Sequence, residues 1–468
     1  MLDLDDTIAA IATATGAAGL AVVRVSGARA LAVSDAVFLG AAPLADAPGG
    51  TLHHGWAAWP EAADGVADPD RRRRLDEVVA AVFRAPRSYT RQDLVEFSCH
   101  GGELSAARVL AALLAAGSRQ ARPGEFTLRA FLNGRLDLIQ AEAVADLIHA
   151  RTEGAHSLAL AQLRGDLSRR LAGVTEALRD ALAEVEARVD FAPDVGGVEL
   201  PGRVAEALSA AESALATLLE GASYARALRE GVRVALIGRP NVGKSSLFNA
   251  LLGERRAIVA ALPGTTRDLV SETVEVAGVR VTLTDTAGLR AGGDEVESEG
   301  VARARAALEE SAVVMWVVDG AAPLQEEDRQ IAARLAGRSV LVALNKRDLA
   351  PALEAQEVER ALGGDSGLAI RVSATRGDGV AELLSALGRL LAGERGLGGA
   401  VGNRRHAEAL ERARAAAGRA HAAAGSGAPG EIVALELREA LDSLGEVTGG
   451  TVGEDLLERI FSRFCIGK

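Results

Sequence analysis

Cysteine is scarce. Cys99 and Cys465 are the only two in 468 residues, and they stand too far apart to make a disulfide framework, which points to a cytoplasmic protein. Aromatic residues make up only 3% of the chain, so Ala and Leu must fill most of the core, which favours closely packed helices. No uninterrupted apolar run approaches the ~18 residues that read as a membrane span. The opening MLDLDD lacks the basic region of a signal peptide. Positive charge is also short: 52 Lys and Arg face 64 Asp and Glu, for a net charge of −12. That balance argues against non-specific nucleic-acid binding over the whole surface. It leaves room for a local basic patch, or for a partner that supplies the nucleic-acid contact.

Apolar residues are plentiful at 49%, enough for full cores in roughly two to four domains. The stretch around which the chain is organised is GRPNVGKS, Gly238–Ser245. An apolar run, Val232–Ile237, precedes it, and a helical segment, Ser246–Leu252, follows. Strand, glycine-rich turn and helix together present backbone N–H groups and a helix N-terminus to an anion. Lys244 can reach the β- and γ-phosphates, and Ser245 can hold Mg²⁺.

Four later stretches narrow the nucleotide. Val281–Leu283 leads to Asp285-Thr286-Ala287-Gly288, an acid for the Mg²⁺ water and a glycine for the γ-phosphate. Val313–Val318 is another buried-strand run, ending at Asp319. Val340–Leu344 leads to Asn345-Lys346-Arg347-Asp348. The Asp348 carboxylate can accept from the N1–H and 2-amino groups of guanine, an edge on which adenine has no matching donors. Ala369–Val372 leads to Ser373-Ala374-Thr375, where a backbone N–H can meet the guanine carbonyl oxygen. The order and spacing predict GTP binding by Asn241, Val242, Gly243, Lys244, Ser245, Ser246, Thr265, Thr266, Asp285, Gly288, Asn345, Lys346, Asp348, Ser373 and Ala374. The threonines belong to Gly264-Thr265-Thr266-Arg267-Asp268, a segment able to sense the γ-phosphate through Mg²⁺.

Hydrolysis needs a positioned water. The place where small signalling GTPases carry a glutamine holds Leu289, so either hydrolysis is slow or another residue aligns the water. Asp294, Glu295, Glu297 and Glu299 crowd the segment that follows, and composition does not choose between a water-binding carboxylate and a solvated surface. The Asn241 side-chain oxygen could ligate a monovalent cation where an arginine finger would otherwise act, which makes a K⁺-activated GTPase coherent.

Around this domain the chain changes character. Residues 1–118 read as mixed α/β. Leu20–Val25, Glu77–Phe83 and Asp93–Cys99 are strands, and Ala28–Val37 and Glu103–Ala116 are helices. His53, His54 and Trp56 sit on a further extended segment without metal-ligand spacing, and Arg71–Arg74 form an exposed loop. Residues 119–228 read as helical, with patterns at Leu138–Thr152, Ser157–Arg188 and Ala205–Leu219. The apolar stripe of the second is Leu167, Leu171, Val174, Leu178, Leu182 and Val185. Residues 229–384 form the nucleotide-binding domain, with a parallel sheet covered on both faces by helices. Residues 385–468 return to helices. The expected fold class is an α/β P-loop GTPase domain inserted into an all-helical domain, preceded by an α+β domain.

The flanking stretches carry a resemblance. DTIAAIATATGAAGLAVVRVSG at 6–27, DLVEFSCHGG at 93–102, RPGEFTLRAFLNGRLDLIQAEAVADLI at 122–148, LGEVTGG, and the terminal EDLLERIFSRFCIGK resemble the MnmE, or TrmE, family of tRNA modification GTPases over essentially the whole length. The resemblance implies a tetrahydrofolate-binding-like N-terminal domain that forms a homodimer contact, a discontinuous helical domain, and G domains activated by K⁺-dependent dimerisation. It implies joint action with the flavoprotein MnmG, in a heterotetramer or larger complex with FAD on that partner only. The substrate would be the wobble uridine of certain tRNAs, which gains an aminomethyl or carboxymethylaminomethyl group at carbon 5. The one-carbon unit would come from a tetrahydrofolate derivative of 5,10-methylene or 5-formyl type. Carried over by position, Asn241 resembles the K⁺ ligand, Ser245 and Thr266 the Mg²⁺ ligands, Asp285 the Mg²⁺-water acid and Glu297 the water-positioning glutamate. Lys244 resembles the phosphate lysine, Cys465 a cysteine needed for modification rather than hydrolysis, and Arg24 a folate contact. Leu262-Pro263, Val452-Gly453 and the arginine-rich insertion depart from the family pattern. A different class, a regulatory RNA- or ribosome-associated GTPase switch without covalent chemistry, shares the nucleotide motifs but needs neither residues 1–118 nor the FCIGK end.

Overall fold

The computed structural model describes residues 5–14, 16–60, 73–190, 202–254, 271–285, 308–363, 368–392 and 401–468. The chain forms two compact units, Met1–Ala145 with Gly445–Lys468, and Asp146–Leu444.

The first unit is built on seven strands: β1 (Ile8–Ile11), β2 (Leu20–Ser26), β3 (Phe38–Gly40), β4 (Thr51–Ala58), β5 (Arg74–Phe83), β6 (Leu94–His100) and β7 (Arg119–Gln120). Their order is β3-β4-β5-β6-β2-β1-β7, antiparallel except where β7 joins β1. Strand side chains alternate between faces. Val23, Val25, Val82 and Phe97 point to one face, where α1 (Ala30–Val37) and α2 (Glu103–Ala115) cover them with Leu31, Val33, Val109 and Leu113. Leu20, Leu52 and Val79 are exposed on the other. His53 and His54, on β4, bond Thr51 and Glu77, and the Arg74 guanidinium lies 5.0 Å from the Trp56 ring centroid.

Helix α3 (Glu125–Leu132) is tied down by charge. Arg129 is fully buried. It donates to Glu125 Oε1 at 3.0 Å, to the Asp6 carbonyl at 2.8 Å, and to the Asp6 carboxylate. Glu125 also accepts from Arg119 Nη2 at 2.6 Å and from the Arg122 N–H at 2.8 Å. Buried charges persist only when paired, so this closed set fixes α3 against the N-terminal edge of the sheet.

Helix α4 (Leu138–His149) carries the chain into the second unit, where α5 (Glu153–Leu163), α6 (Asp166–Asp190), α7 (Gly202–Leu219) and α8 (Ala222–Glu230) follow. The continuous helix expected over 157–188 is two helices. Gly165 between them adopts φ +79°, a left-handed conformation that ends α5. Beyond the break the stripe Leu167, Leu171, Val174, Leu178 and Val185 is buried as expected, with Ala181 rather than Leu182 turned inward.

Six strands form the second sheet: β8 (Val232–Ile237), β9 (Ser271–Val276), β10 (Val279–Asp285), β11 (Val313–Asp319), β12 (Val340–Asn345) and β13 (Leu368–Arg371). Its order is β13-β12-β11-β8-β10-β9. The sheet is parallel as expected except at one edge, where β9 runs antiparallel to β10. Ala277-Gly278, at φ +51° and +78°, makes a two-residue hairpin turn between them. Helices α9 (Lys244–Glu254), α10 (Glu326–Leu335), α11 (Ala355–Ala361) and α12 (Val380–Ala392) flank the sheet. The sheet's core also takes in Leu158 of α5 and Ala225 and Leu228 of α8. At that seam a Cβ on Gly154 would lie 2.7 Å from the Gly278 carbonyl oxygen, and Tyr224 Oη donates to the Ala277 carbonyl at 3.0 Å.

Helix α13 (Arg404–Gly425) packs on α7 through Ala409, Ala413, Ala416, Ala417 and Ala420, an alanine face that fits the shortage of large side chains. Helix α14 (Gly430–Thr448) leads back to the first unit, where α15 (Glu454–Phe461) and Phe464 pack with Leu128, Leu138 and Ala141.

Three outcomes follow. Burial works to raise the Glu125 carboxyl, but the bonds from Arg119, the Arg122 N–H and Arg129 outweigh it and hold the group below its ordinary 4.5. A depressed carboxylate gives stability that is complete above its unfolded-state pKa and fades as pH falls through the folded one. Urea titrations should therefore show the first unit weakening below about pH 4. Glu125→Gln should cost about 3 kcal/mol at pH 7, because Arg129 is left buried and under-compensated. In the second unit, Gly154→Ala should cost about 2 kcal/mol through overpacking against the hairpin turn, read as a lower melting temperature.

Candidate nucleotide site and basic cleft

The C-terminal ends of β8, β10, β11 and β12 converge on one rim of the second sheet, as open parallel sheets require of a ligand site. The phosphate loop leaves β8 and enters α9 at Lys244. Gly243 adopts φ +95°, and a Cβ there would sit 2.2 Å from Asn345 Nδ2, so a side chain is excluded twice over. Lys244 Nζ donates to the carbonyls of Gly238 at 2.8 Å and Arg239 at 2.9 Å, and spans the loop from within. Val242 is buried under it, while Asn241, at φ +62°, and Ser246 are exposed.

Ser245 Oγ donates to Asp285 Oδ2 at 2.7 Å, so the two expected Mg²⁺-side residues meet at the first turn of α9. Among the described residues no three His, Cys, Asp or Glu side chains gather as a metal cage. A hydroxyl beside a carboxylate is a pair of hard oxygen donors of the kind that could hold Mg²⁺. The exposed Asn241 amide oxygen is likewise a hard donor suited to an alkali cation.

The base side is built from three loops. Asn345 is buried; its Nδ2 donates to the Val242 carbonyl at 2.8 Å, and its Oδ1 accepts the Ala374 N–H at 3.0 Å. The expected base-reading loop is thus linked directly to the phosphate loop. The Ser373 N–H donates to the Asp378 carbonyl at 2.8 Å. Asp348 Oδ1 accepts from Ser373 Oγ at 2.7 Å, and that bond holds the carboxyl below its ordinary value. Asp348 is therefore charged at neutral pH, the form that accepts two donors from a guanine edge. Lys346, at φ +67°, donates to Asp319 Oδ2 at 2.7 Å. Thr265, Thr266, Gly288 and Glu297 lie outside the described residues, as do Leu262-Pro263 and Arg71-Arg72.

The first unit holds a separate polar site around Arg24. Its guanidinium pairs with Glu96 directly across the β2–β6 ladder, at 2.8 Å from Nε. It lies 5.2 Å from the Tyr89 and 5.5 Å from the Phe126 ring centroids. It also donates to the Gly467 carbonyl at 3.3 Å, so the C-terminal tail ends beside it. Burial, and then the charge of Arg24, lower the Lys468 ammonium. A cleft of about 590 Å³, lined by Arg87, Tyr89, Arg91, Glu96 and Arg135, adjoins this cluster. Cys465 is exposed, and its carbonyl accepts from the Gly124 N–H at 3.4 Å. Cys99 is buried, and burial with nearby Asp76 pushes its thiol up to about 11, which leaves it inert. Sequence reasoning found Arg24 but missed Glu96, Tyr89 and Arg135. The opposite charges of Arg24 and Glu96 in two alternating strands were a usable signal; the loop residues gave none.

Two family models match the chain: the GTP-binding protein TrmE N-terminus over residues 7–135 and the MnmE helical domain over residues 138–465. Three curated relatives, each named tRNA modification GTPase MnmE, align with 99% of this chain and 100% of their own length. They come from Symbiobacterium thermophilum at 46% identity, Moorella thermoacetica at 43% and Geobacter metallireducens at 43%.

Asn345→Ala removes both bonds that link the loops. It should weaken guanine-nucleotide binding roughly 10- to 100-fold by equilibrium titration, the equivalent of about 1–3 kcal/mol.

Proposed function

The chain belongs to the MnmE (TrmE) family, and on that premise we propose that it is a GTP hydrolase that serves modification of the wobble uridine in tRNA. The observation that carries this reading is the extent of the relationship. It runs through the N-terminal sheet and the terminal tail as well as the phosphate loop, covering 99% of the chain. A nucleotide switch alone has no chemical use for the cluster at Arg24 or for Cys465.

In this proposal Lys244 leaves its two loop carbonyls for the β- and γ-phosphates, and Asp348 accepts from the guanine edge while Asn345 keeps the two loops in register. Mg²⁺ would be held by Ser245, Thr266 and, through water, Asp285, and K⁺ by Asn241; bound, the cations neutralise charge that develops on the phosphates. Glu297 aligns the attacking water, since Leu289 cannot. Apolar Leu20, Leu52 and Val79 on the open face of the first sheet suit a homodimer contact.

The cleft beside Arg24 suits a tetrahydrofolate derivative of 5,10-methylene or 5-formyl type, which when bound would supply the one-carbon unit. The Glu96 carboxylate can accept from an amino-pyrimidinone edge, Tyr89 and Arg24 offer flat faces, and Arg87, Arg91 and Arg135 can meet carboxylates. Cys465 lies on the tail whose Gly467 carbonyl meets Arg24. The flavoprotein MnmG, with its FAD, and the substrate tRNA complete the assembly. The product is an aminomethyl or carboxymethylaminomethyl group at carbon 5 of the wobble base.

Nucleoside mass spectrometry of total tRNA tests the proposal in cells with the gene intact, deleted, or carrying Lys244→Ala. Loss of 5-substituted wobble uridines in both altered strains is expected. Unchanged nucleosides, with purified protein that still hydrolyses GTP, would overturn the tRNA reading and leave a regulatory switch.

A further inference from the structure

Two acidic side chains outside the nucleotide motifs, Asp319 and Asp328, link Arg239 of the phosphate loop to Lys346 of the base-reading loop. Asp319 closes β11, which lies between β8, the strand that delivers the phosphate loop, and β12, the strand that delivers Asn345 and Lys346. Asp319 Oδ2 accepts from Lys346 Nζ at 2.7 Å and lies 3.8 Å from an Arg239 guanidinium nitrogen. Its Oδ1 accepts the Ala321 N–H at 3.0 Å, which fixes the carboxylate plane. Arg239, the second residue of the phosphate loop, donates through Nε to Asp328 Oδ2 at 3.1 Å. Its carbonyl is one of the two that hold Lys244. Asp328 is 1% exposed, and its Oδ1 has no hydrogen-bond partner among the described residues.

A buried carboxylate with one oxygen unsatisfied costs stability. Asp328 Oδ2 also accepts the Gln325 N–H at 3.1 Å, the capping-box bond at the start of α10, so this carboxylate anchors Arg239 to a helix terminus. Asp328, Arg239, Asp319 and Lys346 form a continuous line along the nucleotide rim of the sheet, from α10 to the base-reading loop. A lysine left to itself samples many rotamers, and binding must then order it. A lysine whose ammonium is already held presents its methylene stem as a fixed wall.

We propose that Asp319 is a positioning residue for the guanine nucleotide. It holds the Lys346 ammonium so that the stem forms one wall of the base pocket near Asp348, and through Arg239 it sets the spacing between that pocket and the phosphate loop. This rests on the GTP-binding reading above.

The test is a thermodynamic cycle on the full-length protein, with GDP dissociation constants measured by calorimetry for the unaltered chain, Asp319→Asn, Lys346→Met and the double variant. Each single substitution should weaken GDP about tenfold, and the double should be no weaker than the weaker-binding single, because both remove one interaction. Asp319→Glu keeps the charge and should recover most of the affinity; it also carries the test if Asp319→Asn fails to fold. A double variant weakened by the product of the singles, about a hundredfold, overturns the proposal. So does an Asp319→Asn variant that binds like the unaltered chain, or an Asp319→Glu variant that folds but binds no better than Asp319→Asn. Failure of the unaltered protein to bind GDP would overturn the GTP-binding reading itself.

Discussion

The nucleotide site turns on one neutral amide. Asn345 emerges from the end of β12 with its side chain buried, donating to the phosphate loop and accepting from the loop after β13. A charged residue could not sit there without a counter-ion, and a hydroxyl could not span both partners. A side-chain amide offers a donor and an acceptor together on one short planar group. Gly243 is the complement of that choice, since any side chain would occupy the place of the Asn345 nitrogen. The two ends of a nucleotide are thus addressed by loops whose spacing is set before any ligand binds, which is what pre-organisation means in structural terms.

The first unit solves a comparable problem with full charges. Two guanidinium groups and two carboxylates, from Arg119, Arg129, Asp6 and Glu125, join the start of the chain, β7 and α3. Such a set contributes little net stability over an apolar core of equal volume, and loses much if one member goes. What it gives is a unique arrangement of the elements around Arg24. The tail then adds a backbone carbonyl to a guanidinium that already has its carboxylate and two aromatic faces.

The sequence was most legible where chemistry is local. The phosphate loop, Asp285, Asn345 and Asp348 follow apolar runs that are strands, and a strand end fixes where the next few residues lie. Legibility failed where geometry depends on one backbone angle or a distant partner. Leu160, Leu163, Leu167 and Leu171 recur three and four residues apart across Gly165, so periodicity alone joins two helices into one. The β9–β10 turn uses Ala277 where Asn or Asp would have signalled a hairpin. Asp319 reads as nothing more than the end of a strand, because its partners Lys346 and Arg239 are 27 and 80 residues away. Tyr89 and Arg135 reach Arg24's surroundings through loops with no periodic signal.

The seam between the second sheet and helices α5 and α8 bears on how the molecule can be cut. Leu158, Ala225 and Leu228 belong to the sheet's core although they precede its first strand. A fragment trimmed to residues 229–384 would keep every nucleotide motif and lose those three plugs. Apolar sockets would open along β10, the strand that ends at Asp285. Recombinant fragments and domain grafts therefore have a natural starting point near Asp146, where the compact unit begins. The smallest piece that recognises a nucleotide motif and the smallest piece that can fold around it are different lengths of chain.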